Sequence, residues 1–461
     1  VTRGYLYAAA GGMAGLLVLD ATSSALNLTL LAIAYAGLVG VVVTERRQPW
    51  LDRRTLLWVV GGLLVLAVVV PPVESRDVWA YAMYGRILGV HHLSPYATLP
   101  AHFAGDPFLG QMDTQWHHTA SVYGPLFTSI SGLGGVISGS SLVLARLWYQ
   151  LLAAASVVGI LVLLDRRKVG VAALACIGLN PLIVISVVNS GHNDALVGLA
   201  VLAGVLLAID RRPALAGAAF AATVLIKLIL ILPFAATGLW LWRRQGLRAA
   251  LAAAWVFALL VIGSLSLFGG GEALEPLETA QLRQTASSVW YDVRETFIEQ
   301  KVDDGVDPAM ADHEARERVA LLAEIAVGLA CVAVVLRRWH DTDLALQVGA
   351  VLLAFALIGA NMLPWYWAWG LPVLALALGS RLTWVALAHG ALLQWAMFPV
   401  AVGAGGPSPI EQVQVWTRDT ALPVLQLVVL VGLLVARPRR STDDAGEPPE
   451  GSRDVALLTA G

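Results

Sequence analysis

The chain has 461 residues, of which 58% are hydrophobic and only 13% charged, and its formal net charge is −2. A soluble protein carries about 25% charged residues, so this composition excludes an ordinary soluble enzyme and a disordered chain, and the near-zero net charge gives no basic field for a nucleic acid. What remains is a polytopic membrane protein, for which sixteen tryptophans suit the aromatic belts of the bilayer interfaces.

Apolar runs of helical length recur along the chain, and helices satisfy the backbone inside a bilayer. The predicted spans are 4–20, 26–44, 55–72, 142–164, 169–188, 195–209, 247–268, 319–336, 343–361, 370–381, 384–402 and 421–436. The first is read as a span rather than a cleaved signal, because Leu19-Asp20-Ala21 is a weak cleavage site and Arg3 is the only n-region arginine. Arg46-Arg47, Arg53-Arg54, Arg166-Arg167-Lys168, Arg211-Arg212, Arg243-Arg244, Arg337-Arg338, Arg381 and Arg437 to Arg440 fall between alternate spans. The positive-inside rule makes these cytoplasmic, with both termini inside the plasma membrane.

Ala214–Trp242 is apolar with arginine pairs at both ends. A straight helix of this length would be about 44 Å long, too long for one span and too short for two. It is read as a re-entrant hairpin of two half-helices, broken near Pro233, with Lys227 near the tip. Segments 73–141 and 269–318 are expected as long external loops; the second holds 12 acids and five bases and includes stretches able to form amphipathic helices. Residues 1–440 form one membrane domain, and 441–461, rich in Ser, Asp, Gly, Glu and Pro, read as a disordered cytoplasmic tail. Cys176 and Cys331 lie in apolar runs and form no disulfide framework.

Four clusters of polar and aromatic residues stand out. In the first external segment, a helix from Asp77 would put Asp77, Tyr81 and Tyr84 on one face. A carboxylate among aromatics at the membrane surface suits a general base for a sugar hydroxyl, and Arg76 and Arg86 suit a phosphate; an interfacial anchor with an Asp–Arg pair is the bland alternative. Prolines and glycines in Ser94-Pro95-Tyr96, Asp106-Pro107 and Tyr123-Gly124-Pro125 read as rigid turns. The pairs His91-His92 and His117-His118 lack metal-ligand spacing, and no metal or other cofactor is expected.

The second cluster, Asn189-Ser190-Gly191-His192-Asn193-Asp194, reads either as a capped turn or, through His192, Asn193 and Asp194, as a group that binds sugar hydroxyls. The third, Pro364-Trp365-Tyr366-Trp367-Ala368-Trp369, is either interfacial anchoring or a platform for sugar and isoprenoid surfaces made by Trp365, Tyr366 and Trp367. The fourth is Lys227, an intramembrane charge that faces a phosphate or an internal carboxylate, or snorkels to the interface. Arg146 is a further phosphate candidate, or a lipid-headgroup contact. All but Lys227 collect on one face, which suits an enzyme that takes a lipid-linked donor better than a channel or a proton-coupled transporter.

These residues carry a family resemblance. Arg76-Asp77 with Tyr81 and Gly85, Ser94-Pro95-Tyr96, Asp106-Pro107, Tyr123-Gly124-Pro125, Gly191-His192-Asn193-Asp194-Ala195-Leu196, Ile226-Lys227 and Pro364-Trp365-Tyr366 resemble the multi-spanning glycosyltransferases of the GT-C superfamily. More narrowly, the chain is similar to the actinobacterial polyprenol-phosphate-mannose-dependent α-(1→6)-mannosyltransferases. The resemblance implies an all-α GT-C-like bundle of about twelve transmembrane helices and an extracytoplasmic site. It implies a polyprenyl-phosphate sugar donor, a glycolipid or lipoglycan acceptor, and inverting transfer with Asp77 as base. Mannose is favoured over glucose, galactose or arabinofuranose by resemblance alone, and a lipid-linked sugar flippase is the rival from another class.

Overall fold

A computed structural model of the chain describes residues 2–19, 23–228, 231–339, 343–399 and 407–435. The expected tail 441–461, the basic run Arg437 to Arg440, and Asp20 and Ala21 of the cleavage-like triplet lie outside the described residues. Among the described residues all regular structure is helical. The α-helices are α1 (Thr2–Val18), α2 (Ser24–Arg47), α3 (Arg53–Val69), α4 (Asp77–Gly89), α5 (Pro125–Ser138), α6 (Leu142–Arg166), α7 (Val171–Gly178), α8 (Asp194–Ile209), α9 (Pro213–Ile226) and α10 (Leu232–Gln245). There follow α11 (Leu247–Leu267), α12 (Glu275–Gln281), α13 (Val289–Asp303), α14 (Pro308–Arg337), α15 (Leu344–Ile358), α16 (Leu371–Ala375), α17 (Arg381–Met397), α18 (Pro409–Trp416) and α19 (Leu422–Val435).

Each of the twelve predicted spans contains helix. By length and composition α2, α6, α11, α14 and the run Pro409–Val435 each suffice to cross a bilayer, and α7 with the π-helix Leu182–Asn189 makes a sixth, bent by 45°. The bend follows from Asn180-Pro181: proline has no N–H to donate, and the Asn180 carboxamide accepts from the Leu182 N–H at 3.1 Å. The predicted span 370–381 is only the five-residue α16 and following turns, because Gly370, Pro372 and Gly379 interrupt it.

The two segments expected as loops both contain helices. Residues 73–141 hold α4 and α5, and 269–318 hold α12, α13 and the head of α14. Small residues explain the first pair: a Cβ on Gly85 would lie 2.1 Å from the Ser131 carbonyl oxygen, so the two backbones touch. The second segment is laced by surface ion pairs such as Lys301–Glu314 at 2.6 Å.

Ala214–Trp242 is broken earlier than expected, after Ile226: Lys227 caps the end of α9, and Pro233 lies in the first turn of α10, where its missing N–H costs nothing. The Gln245 amide donates to the Ala208 carbonyl at 2.6 Å, so α10 returns to the level from which α9 began. At that same level the Arg167 guanidinium pairs with Asp210 at 2.5 Å, and Arg53 pairs with Asp165. Helix α8 runs about 24 Å from this basic end to Asp194, which begins it at the other end of the bundle.

Candidate functional site

Asp77 is the first residue of α4, where the helix dipole favours a negative charge. The chain entering α4 is fixed by amides. Asn189 donates to the carbonyls of Ala67, Val70 and Pro71, each at 3.1 Å, and accepts from the Val73 N–H at 2.9 Å. Gln150 donates to the Ala67, Val70 and Asn189 carbonyls. These bonds tie the Asp77 helix to the turn 190–194, where Gly191 takes the left-handed conformation at φ 68° that glycine adopts without Cβ strain.

His192 is fully buried, with Nδ1 2.9 Å from the Tyr81 hydroxyl, 3.8 Å from Asp194 and 4.0 Å from Asp77. Its ring stacks on Trp365 at 4.0 Å between centroids. Burial, then the positive charge of Lys227, holds the imidazole pKa well below its ordinary value, so the ring is neutral. The Asp194 Oδ1 atom accepts from the Lys227 ammonium and from the Trp369 indole N–H, both at 2.6 Å. Lys227 also lies 4.4 Å above the Tyr366 ring and 5.1 Å from that of Trp369. Burial pushes the Asp77 carboxyl up to about 6; Lys227 and Arg283 oppose the shift and Asp194 adds to it. Asp77 keeps 23% of its side chain exposed, so it is the carboxylate of this cluster that a ligand can reach.

Four polar atoms of the turn are buried without a hydrogen-bond partner: His192 Nε2, both amide atoms of Asn193, and Asp194 Oδ2. Each such group costs about 1–3 kcal/mol. Their concentration in three consecutive residues marks a surface prepared for a polar ligand.

The other motifs hold this cluster in place. The Gly124 N–H donates to the Ile226 carbonyl at 3.0 Å, and a Cβ there would lie 2.3 Å from the Leu225 carbonyl oxygen. Glycine at 124 therefore lets Tyr123-Gly124-Pro125 press against the end of α9 and fix Lys227. The Tyr96 hydroxyl donates to the Tyr123 carbonyl at 2.9 Å, and the Tyr123 ring meets Tyr81 edge-on at 5.0 Å. A Cβ on Gly198 would lie 2.0 Å from the Ala368 carbonyl oxygen, so α8 seats the tryptophan-rich turn directly.

The structure thus brings together Asp77, Tyr81, Tyr123, His192, Asp194, Lys227, Trp365 and Tyr366; Asn193 belongs to the same turn, and Tyr84 donates to the Thr119 carbonyl at 2.8 Å beside it. Three expected residues go elsewhere. Arg86 bonds to Asp106 at 2.7 Å and to the Gly139 carbonyl. Arg146 donates to the Val68 and Val69 carbonyls and to Gln150, capping the end of α3. Trp367 turns into the bundle and donates to His389 at 3.0 Å. Arg76 is exposed and has no polar partner among the described residues.

Sequence reasoning placed Trp369 in the aromatic cluster but not among its platform residues, although three residues per turn in the 3₁₀ segment Pro364–Trp369 put it on the side of Tyr366. It also missed Glu74, whose carboxylate accepts from Ser186 at 2.6 Å and is pushed up to about 7 by burial. The third omission is Arg283, from the acid-rich segment, which reaches over to Gln115 and Trp116. Among the described residues no three His, Cys, Asp or Glu side chains group as metal ligands. A surface cleft of about 460 Å³ between α13 and α14, lined by Lys301, Glu314 and Arg318 among others, contains none of the clustered residues.

A family model described as "Alpha-(1->6)-mannopyranosyltransferase, N-terminal domain" matches residues 8–244, which include every clustered residue from Asp77 to Lys227. An alpha-(1->6)-mannopyranosyltransferase A of Mycobacterium tuberculosis is 26% identical over 393 residues, covering 80% of this chain and 73% of the relative. A probable alpha-(1->6)-mannopyranosyltransferase of Mycolicibacterium smegmatis is 31% identical over 192 residues, 40% of this chain but only 33% of that protein. The Corynebacterium glutamicum alpha-(1->6)-mannopyranosyltransferase A is 30% identical over 185 residues, 38% of this chain and 36% of the relative. No solved structure matches the chain significantly.

Proposed function

The chain belongs to the alpha-(1->6)-mannopyranosyltransferase family, and on that premise we propose that it moves mannose from a polyprenyl-phosphate donor to a glycolipid or lipoglycan acceptor. The observation that carries the reading is the partly exposed Asp77 beside a turn of buried, unpartnered polar atoms. In the reaction, Asp77 takes the proton of an acceptor hydroxyl while that oxygen bonds to the anomeric carbon. The bond from that carbon to the donor phosphate breaks, its electron pair leaves with the phosphate oxygen, and the configuration inverts. Polyprenyl phosphate is already a fair leaving group, so protein cations suffice to stabilise it.

His192, Asn193 and Asp194 supply unpartnered polar atoms for sugar hydroxyls, while Trp365 and Tyr366 offer apolar faces. Neutral His192, placed between Tyr81 and the two carboxylates, orients the group around Asp77. In the membrane, the long apolar helices cross the bilayer and α9–α10 form the re-entrant hairpin. The basic end is cytoplasmic, as are both termini, and the Asp77 cluster lies extracytoplasmic, supported by the separation of the two ends along α8 and by the positive-inside rule.

The test is a transfer assay in membranes containing the protein, with radiolabelled polyprenyl-phosphate mannose and a glycolipid acceptor. Labelled acceptor is the expected product; lipid flipping without transfer would replace this reading with a flippase. Cysteines placed at positions 120 and 290 should label from outside and one at 245 from inside. Labelling of 120 from the cytoplasm would put Asp77 on the wrong face.

A further inference from the structure

We propose that Arg283 is the anion-binding residue of this site and grips the phosphate of the lipid-linked donor; this rests on the function proposed above. Three of the four other candidate cations are already engaged, and the fourth, Arg76, is exposed next to Asp77 with nothing among the described residues to hold its guanidinium in place. Lys227 is bonded to Asp194, Arg86 to Asp106 and the Gly139 carbonyl, and Arg146 to two carbonyls and Gln150. The Arg283 side chain makes one hydrogen bond, from one terminal nitrogen to Gln115 at 3.0 Å, and its guanidinium lies 3.7 Å from the centroid of the Trp116 ring. Its remaining N–H groups have no partner among the described residues, and a guanidinium presents five donors in a fork that fits phosphate.

Its surroundings make that freedom unusual. The segment 269–318 has 12 acids to five bases, and its Arg294, Lys301 and Arg316 each bond to an acid within it. Arg283 pairs with none of them and extends to the first external segment instead. The chain just after it is anchored over the site: the Thr285 N–H donates to the Ala360 carbonyl at 3.0 Å and the Trp290 indole to the Ile358 carbonyl at 2.6 Å, immediately before the tryptophan-rich turn. The Trp116 shelf adjoins the cluster, because the Thr119 N–H donates to the Trp116 carbonyl at 3.2 Å and the Thr119 carbonyl accepts from the Tyr84 hydroxyl at 2.8 Å. Arg283, seated on that shelf, therefore lies on the Tyr84 side of the Asp77 cluster. As the anomeric carbon–oxygen bond breaks, the phosphate gains a second negative charge, and a cation in this place favours its departure.

The experiment measures binding of radiolabelled farnesyl phosphate to the full chain in nanodiscs, alongside mannosyl transfer and thermal midpoint. Arg283→Ala should weaken binding at least tenfold and raise the donor KM, with the midpoint within a degree or two of wild type. Arg283→Lys should recover part of the binding, and Asp77→Asn should bind as wild type while failing to transfer. Wild-type binding by Arg283→Ala would overturn the assignment. Absence of binding by the wild-type protein itself would overturn the lipid-phosphate reading of the function, a distinguishable result.

Discussion

Two buried acid–base pairs, Arg86–Asp106 and Lys227–Asp194, invite comparison, and both acids come from motifs of the sequence. Asp106 accepts from Arg86 at 2.7 Å and from the Phe108 N–H at 3.0 Å, and Arg86 also bonds to the Gly139 carbonyl and lies over Phe108. Both carboxylate oxygens of Asp106 are engaged. Asp194 gathers Lys227 and Trp369 on one oxygen and leaves the other without a hydrogen bond, in the same turn as the unpartnered Nε2 atom of His192 and side-chain amide of Asn193. A closed pair holds helices together, whereas an open one leaves capacity for a ligand. The same residue chemistry thus serves as scaffold in one place and as site in the other.

Removing one cation from each pair separates their roles most forcefully. Lys227→Met and Arg86→Met should each destabilise the protein by about 3–5 kcal/mol, because a buried carboxylate is left uncompensated. Their neutralised double variants should then diverge. Arg86→Met with Asp106→Asn should regain both thermal stability and transfer, while Lys227→Met with Asp194→Asn should regain stability alone. Equal recovery of transfer in both, measured with melting in detergent, would show that the open pair is merely structural.

A smaller effect is expected at the contact that fixes Lys227. Gly124→Ala drives a methyl against the Leu225 carbonyl, and such overpacking costs typically about 1–3 kcal/mol. Transfer should fall further than stability, because the ammonium moves away from Asp194; unchanged kcat at the wild-type melting temperature would contradict this role. Smaller still, Tyr81→Phe removes one hydrogen bond to His192, worth about 0.5–1.5 kcal/mol. A several-fold loss of kcat with little change in melting is expected, and a change in KM alone would assign Tyr81 to binding.

The sequence made the helices legible because apolar length and the placement of arginine pairs are local signals. It also made Asp77, the turn 190–194 and Lys227 stand out, since a polar residue among apolar neighbours has few bland explanations, although the helix break falls at Lys227 rather than at Pro233. Partner choice was not legible. Arg86 and Lys227 look alike as isolated cations, and only long-range packing gives one to Asp106 and the other to Asp194. Trp367 and Trp369 differ by the pitch of a six-residue 3₁₀ turn, which sends one into the bundle and the other to the carboxylate. Arg283 was hidden among acids, and its hydrogen-bond partner Gln115 is 168 residues away.

The pH dependence of mannosyl transfer is the sharpest test of Asp77 as the base. The base acts only when ionised, and burial, partly offset by Lys227, holds the Asp77 carboxyl up at about 6. Wild-type kcat/KM should therefore be level above this pH and fall about tenfold per unit below it. Asp77→Asn should lower transfer by about 10²–10⁴-fold and abolish that limb while donor binding persists. An Asp77→Asn variant that transfers mannose at the wild-type rate with the same acid limb would contradict the claim.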